Sequence, residues 1–74
     1  MSYLGNMATN YEKLGSKIRE LRKETNLTQE QLAEKVNMDV RSIVEIESGK
    51  RNPTLKTLSK IAGALKIPLS DLLN

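Results

Sequence analysis

The stretch QEQLAEKVNMDVRSIVEI (residues 29–46) decides the fold of this chain. Its apolar residues recur at the spacing of two short helices that share one buried side. They are Leu32, Val36, Met38, Ile43 and Ile46. Ala33 is small where the second helix has to cross closely over the first, and Asn37 tolerates the left-handed backbone of a sharp turn. The stretch therefore predicts helices over 29–36 and 40–48, joined by a tight turn.

Helices this short are not stable alone, so the flanking segments must support them. The apolar pattern predicts a first helix over 10–25, with a stripe formed by Tyr11, Leu14, Ile18 and Leu21. A fourth helix is predicted after Thr54, with a stripe formed by Leu55, Leu58, Ile61, Ala62 and Leu65. A short fifth helix is predicted from Pro68, where Leu69, Leu72 and Leu73 would close the core.

Polar residues mark the expected ends of these helices. Thr28 and Gln31 form a capping-box pattern, and Asp39 and Thr54 precede their helices as N-caps. Thr9 and Glu12 have the capping-box spacing at the start of the first helix. Asn26 and Gly49 are typical left-handed stops. Gly63, inside the fourth helix, is expected to allow another helix to approach closely.

The predicted fold is therefore all-α, a compact bundle of five helices with a helix-turn-helix at its second and third helices. Residues 10–74 are expected to form this one domain. Residues 1–9 show no apolar periodicity and contain neither Lys nor Arg. They are predicted to be a flexible N-terminal tail and not a basic arm.

Composition excludes several classes of function. The 74 residues contain no Cys and no His, which removes disulfides, thiolate metal sites and His-dependent catalytic triads. No Gly-rich phosphate loop is present, and the carboxylates are spread along helix surfaces beside lysines. We therefore expect no enzyme, no cofactor, no metal and no small-molecule ligand.

Charge and hydropathy add little more. The net charge of +3 favours nucleic acid only weakly. No apolar run is long enough to span a membrane, and the first ten residues lack the pattern of a signal peptide. The expected location is the cytoplasm.

The ordered motifs of the chain resemble the XRE/Cro-type, lambda-repressor-like helix-turn-helix domains of phage repressors and bacterial regulators. The resemblance covers roughly residues 14–73. Its motifs are LTQEQLAEK at 27–35, Ile43, Ile46-Glu47, GKRNPTL at 49–55 and the apolar stripe of the fourth helix. The resemblance implies sequence-specific binding of double-stranded DNA by a transcriptional regulator, repressor-like, with the helix over 40–48 in the major groove.

By position, the resemblance assigns base reading to Val40, Arg41, Ser42 and Glu45. Arg41 suits guanine, because a guanidinium can bond O6 and N7 together. Val40 suits a thymine methyl, and Glu45 suits the cytosine amino group or, equally, an i, i+4 ion pair with Arg41. Val44 is either a further methyl reader or partly covered.

Phosphate binding is implied at the starts of the second and fourth helices, where polar donors cluster. These residues are Thr28, Gln29, Lys50, Arg51, Asn52, Thr54 and Lys56. The resemblance also implies a partly buried structural ion pair between Arg22 and Glu47, which joins the first helix to the third.

The chain departs from the family pattern at two kinds of position. Asn26, Asn37 and Lys66 stand where many members have Gly, and Lys66 is expected to strain the end of the fourth helix. Val40 and Glu45 stand where Gln, Arg, Ser or Thr are more usual. These two residues and Val44 favour an alternative, a protein-interaction or antitoxin-type module on the same scaffold.

A homodimer is the expected assembly, because two-fold symmetry matches an inverted-repeat operator. The predicted contact is the fifth helix, through Leu69, Leu72 and Leu73. The alternative is that these leucines only close the core of a monomer.

Overall fold

The computed structural model describes residues 10–73. Over that range the chain forms α1 (Asn10–Glu24), α2 (Gln29–Lys35), α3 (Val40–Glu47), α4 (Leu55–Leu65) and α5 (Leu69–Leu73), and no strand. The predicted all-α, five-helix fold is confirmed. Three helices end one residue earlier than predicted, as is common where the last turn frays. The proposed tail at 1–9 and the cap at Thr9 lie outside the described residues.

Left-handed residues follow the first four helices. Asn26 (φ 62°), Asn37 (φ 58°) and Gly49 (φ 79°) adopt the predicted conformation. Lys66 (φ 63°) also does so at the end of α4, although its Cβ crowds the backbone there. These sharp stops let the chain reverse within a few residues.

The helix starts agree with the predicted caps at two of three places. Gln31 N donates to Thr28 Oγ1 at 3.0 Å and Thr28 N donates to Gln31 Oε1 at 2.8 Å, which completes the capping box of α2. Thr57 N donates to Thr54 Oγ1 at 3.1 Å, which caps α4. Asp39 occupies the N-cap position of α3, but its side chain makes no capping hydrogen bond.

All five helices contribute side chains to the core. Its most deeply buried side chains are Ile18, Leu32, Ile43, Ile46 and Ile61. Two members of the predicted stripes are exposed instead: Tyr11 at 44% and Leu55 at 61%. Both lie in the first turn of their helices.

The glycine that permits close helix packing is Gly15, and the prediction for Gly63 was wrong. A Cβ on Gly15 would overlap the carbonyl oxygen of Ile46 and lie 2.6 Å from that of Glu47. A Cβ on Gly63 would meet nothing within 4 Å. The backbone of α1 therefore lies directly against the end of α3, which fixes the position of α3.

Candidate nucleic-acid interface

The outward face of α3 carries three exposed side chains on a helix that is otherwise anchored. Ile43 and Ile46 are buried in the core, whereas Val40 and Val44 are 39% and 43% exposed. The side chain of Arg41 is 87% exposed. The buried inner face holds α3 in place, and the outward face presents an apolar surface with one extended cation, which suits contact with base edges in a groove.

Ser42 does not share this outward face. The residue is buried, and its hydroxyl accepts a hydrogen bond from Arg51 Nη1 at 3.0 Å. This placement differs from the expectation that Ser42 reads a base, because α3 turns it toward the loop that follows the helix. Ser42 is therefore a partner of Arg51 and not a free polar group.

Glu45 lies between two arginines. Arg41 Nε is 3.6 Å from its Oε2, which is the i, i+4 ion pair that the sequence left open. Arg51 Nη2 is 2.9 Å from its Oε1. The Glu45 side chain is 31% exposed, so its charge is partly withdrawn from solvent and offset by both cations.

A buried ion pair holds α3 to the rest of the molecule. Arg22 Nε donates to Glu47 Oε2 at 2.7 Å, and Arg22 Nη2 donates to Glu47 Oε1 at 3.1 Å. Arg22 Nη1 also donates to the carbonyl oxygen of Leu27 at 2.7 Å. This is the pair that the family resemblance implied, in a bidentate form that fixes orientation as well as distance.

Gln29 joins the same network. Its Nε2 donates to Glu47 Oε1 at 3.0 Å, so the first residue of α2 is tied to the last residue of α3. The side chain is only partly buried, which leaves it within reach of a ligand on that side. The structure thus places Gln29 directly beside α3.

The other expected phosphate contacts divide into two groups. Lys50, Arg51, Asn52 and Lys56 are exposed in the loop after α3 and in the first turn of α4. Thr28 and Thr54 have hydroxyls that cap helices, and Thr54 Oγ1 also donates to Thr57 Oγ1 at 3.0 Å. The hydroxyl of Thr54 is therefore already used within the protein as both donor and acceptor.

Sequence reasoning missed Arg19. This exposed residue lines a shallow surface cavity beside the ion pair, together with Gln29, Val44 and Ser48. Its position three residues before Arg22 puts it on the same side of α1, and that spacing is the signal that could have identified it. Arg19 adds a cation to the face that α3 presents.

Residues 10–73 contain no cluster of three or more His, Cys, Asp or Glu side chains arranged to hold a metal ion. Nor does any helix in the described part of the chain have the length and apolar character needed to cross a membrane.

The two short helices α2 and α3, joined by a tight turn at Asn37, form a helix-turn-helix. The helix-turn-helix family HTH_3 matches residues 18–72. The chain belongs to this family, and the predicted resemblance is confirmed.

A repressor from a phage agrees with this assignment. The immunity repressor protein of Bacillus phage phi105 is 47% identical over 57 residues, which are 77% of this chain and 40% of the phage protein. The chain thus spans less than half of that relative.

Solved structures show the same architecture. The restriction-modification controller protein C.AhdI from Aeromonas hydrophila has a TM-score of 0.83 at 36% identity, over 85% of this chain and 96% of that one. The master regulator for biofilm formation SinR, crystallised in complex with DNA, has a TM-score of 0.79 at 29% identity. That similarity covers 82% of this chain and 98% of the SinR chain in that crystal.

Proposed function

We propose that this chain binds double-stranded DNA sequence-specifically and regulates transcription as a repressor, with α3 in the major groove. The observation that carries the proposal is the Arg41 side chain, 87% exposed on a helix whose opposite face is buried. The similarity to SinR, which was crystallised with DNA, supports it. We assign the chain no catalytic role. The proposed site of action is the cytoplasm.

Base reading is assigned first to the outward face of α3. Arg41 can donate to O6 and N7 of one guanine, which discriminates against other bases by about 1–3 kcal/mol. Val40, at the N-terminal end of α3, can contact a thymine methyl, and Val44 can extend that apolar contact. Glu45 is paired with two arginines, so direct acceptance from a cytosine amino group is not part of the proposal.

Phosphate contacts position the domain without reading sequence. The proposed donors are Gln29 beside α3, and Lys50, Asn52 and Lys56 in and after the loop. Thr28 and Thr54 contribute mainly by capping α2 and α4, which holds these donors in place. Each cation that neutralises a phosphate makes the logarithmic salt dependence of the binding constant steeper by roughly 0.9.

The proposed assembly is a homodimer on an inverted repeat. Leu73 is 55% exposed on α5 and Leu69 is partly buried, so both are available to a second copy. Leu72 is 2% exposed and belongs to the core, which removes it from the predicted contact set. A two-fold axis through α5 would relate two copies of α3, and helix-turn-helix dimers bind half-sites one DNA turn, or a multiple of it, apart.

The decisive experiment selects binders from a random duplex DNA library at near-physiological salt. The wild-type chain is compared with Arg41→Ala, and Lys60→Ala serves as a control that removes one exposed cation from α4. An enriched inverted repeat, relaxed at one base pair by Arg41→Ala but not by Lys60→Ala, supports the proposal. Absence of any enriched sequence in the wild-type selection contradicts it.

The protein-interaction alternative is not favoured. The features that favoured it are the exposed Val40 and Val44 and the acidic Glu45. The charge of Glu45, however, is neutralised by Arg41 and Arg51. Two results together would reverse this preference: the chain binds a polypeptide with an affinity that does not depend on salt, and the DNA selection enriches no sequence.

A further inference from the structure

Arg51 lies in the loop after α3, but its guanidinium folds back onto that helix. Nη1 donates to Ser42 Oγ at 3.0 Å, and Nη2 lies 2.9 Å from Glu45 Oε1. Ser42 and Glu45 are three residues apart and therefore adjacent on the helix surface. The guanidinium is thus held beside the middle of α3, and its side chain remains 45% exposed.

This attachment differs from what a phosphate contact needs. An exposed cation can neutralise phosphate from many rotamers, as a point charge does. Arg51 is instead oriented by oxygens from two residues of α3. A guanidinium has five N–H donors, more than these two contacts use, so it can bind a further acceptor while held in place.

The position beside α3 determines which acceptor it meets. Residues in the N-terminal half of a recognition helix lie nearest the base edges. Glu45, the second partner of Arg51, also pairs with the outward Arg41, so the Arg51 guanidinium lies at the edge of the exposed face of α3 and enters the groove with that face. The loop of 49–54 would then contribute to base reading as well as to backbone contact.

Charge gives Glu45 a role in the same arrangement. A lone carboxylate on a DNA-facing surface repels phosphates, but Glu45 with Arg41 and Arg51 forms a group of two cations and one anion. The group keeps a net positive charge. Its carboxylate separates the two guanidinium groups and holds one on each side.

We infer that Arg51 is a second base-reading arginine that binds O6 and N7 of a guanine, and that Ser42 and Glu45 are its positioning residues. The inference rests on the proposed function. Orientation before binding lowers the entropy lost when the complex forms. Two arginines held by different oxygens of Glu45 can read two different base pairs.

The test measures binding to the selected operator and to every single-base substitution of it, over a series of salt concentrations. Arg51→Lys keeps the charge and removes the fork geometry. We expect it to lose discrimination at one base pair by about 5- to 150-fold while the salt slope is unchanged. Lys50→Gln, the control in the same loop, should weaken binding to all sequences equally and lower the salt slope by about 0.9.

Two further variants test the positioning role. Ser42→Ala and Glu45→Gln should relax the preference at the Arg51 base pair, and Glu45→Gln should also raise affinity for unrelated DNA because a negative charge is lost. Thermal unfolding checks that each variant folds.

The outcomes separate this inference from the function on which it rests. An operator bound by the wild-type chain with an unchanged base profile for Arg51→Lys overturns the inference and leaves the proposed function intact. A wild-type chain that selects no sequence overturns both.

Discussion

Arg22 and Glu47 form a bidentate ion pair, with N–O distances of 2.7 and 3.1 Å, in the interface between α1 and α3. Their side chains are 8% and 2% exposed. Removing two charges from water costs several kcal/mol, and the pair recovers this only because Leu27 and Gln29 complete its hydrogen bonds. Glu47, the residue after the buried Ile46, therefore holds α3 against α1.

Replacing one member of this ion pair should strongly destabilise the domain. We expect Glu47→Ala to lower the free energy of unfolding by about 3–5 kcal/mol, because the buried guanidinium of Arg22 loses its counter-ion. Urea unfolding followed by circular dichroism gives the value. Glu34→Ala, at an exposed site on α2, should change it by less than about 0.5 kcal/mol. Equal midpoints for the two variants would refute the anchoring role.

The two helical glycines should respond in opposite directions to the same substitution. Gly15→Ala places a methyl group against the backbone carbonyls of Ile46 and Glu47, which cannot rotate away, so we expect a loss of about 1–3 kcal/mol. Gly63→Ala meets open space and should stabilise by about 0.5–1 kcal/mol through helix propensity. Both values come from the same denaturant series. A stable Gly15→Ala variant would mean that α1 and α3 are farther apart than described.

These contrasts show what the sequence could and could not predict. Helix positions, caps at Thr28 and Thr54, and left-handed stops at Asn26 and Asn37 follow from local chemistry, so they were predictable. The choice between Gly15 and Gly63 depends on which helix crosses which, and that is a long-range property. Helix propensity and apolar periodicity do not distinguish the two glycines, because both lie inside helices.

The apolar stripes failed at their ends for a related reason. A 3.6-residue period assigns a face but does not say how far the neighbouring helix extends along it. Leu55 therefore matched the stripe of α4 yet is exposed, and Leu72 was grouped with Leu73 although one is buried and the other is not. The contact of Arg51 with Ser42 had no local signal at all, because it joins a loop to a helix nine residues away.

Replacing Lys66 with glycine should stabilise the folded domain. Lys66 has φ 63°, and this left-handed region costs a residue with a Cβ about 1–2 kcal/mol. Glycine avoids that cost, but its greater freedom in the unfolded chain offsets part of the gain. We expect Lys66→Gly to raise the free energy of unfolding by about 0.5–1 kcal/mol. Lys60→Gly, inside α4, should lower it by about 1 kcal/mol, although the chemical change is the same. Thermal midpoints that move in the same direction would contradict the assignment of strain to Lys66.

The exposed leucine of α5 should control self-association. A dimer that buries Leu73 in each copy gains the apolar transfer energy of both side chains, about 1.5–3 kcal/mol each when fully covered. Leu73→Lys should therefore raise the dimer dissociation constant at least roughly tenfold, while the monomer stays folded because the side chain is outside the core. Leu55→Lys alters an equally exposed leucine at the start of α4 and should leave association in the absence of DNA unchanged. Sedimentation equilibrium over a concentration series measures both, and a wild-type chain that stays monomeric well above micromolar concentration would rule out the α5 dimer. In that case cooperation between half-sites would have to arise on the DNA itself.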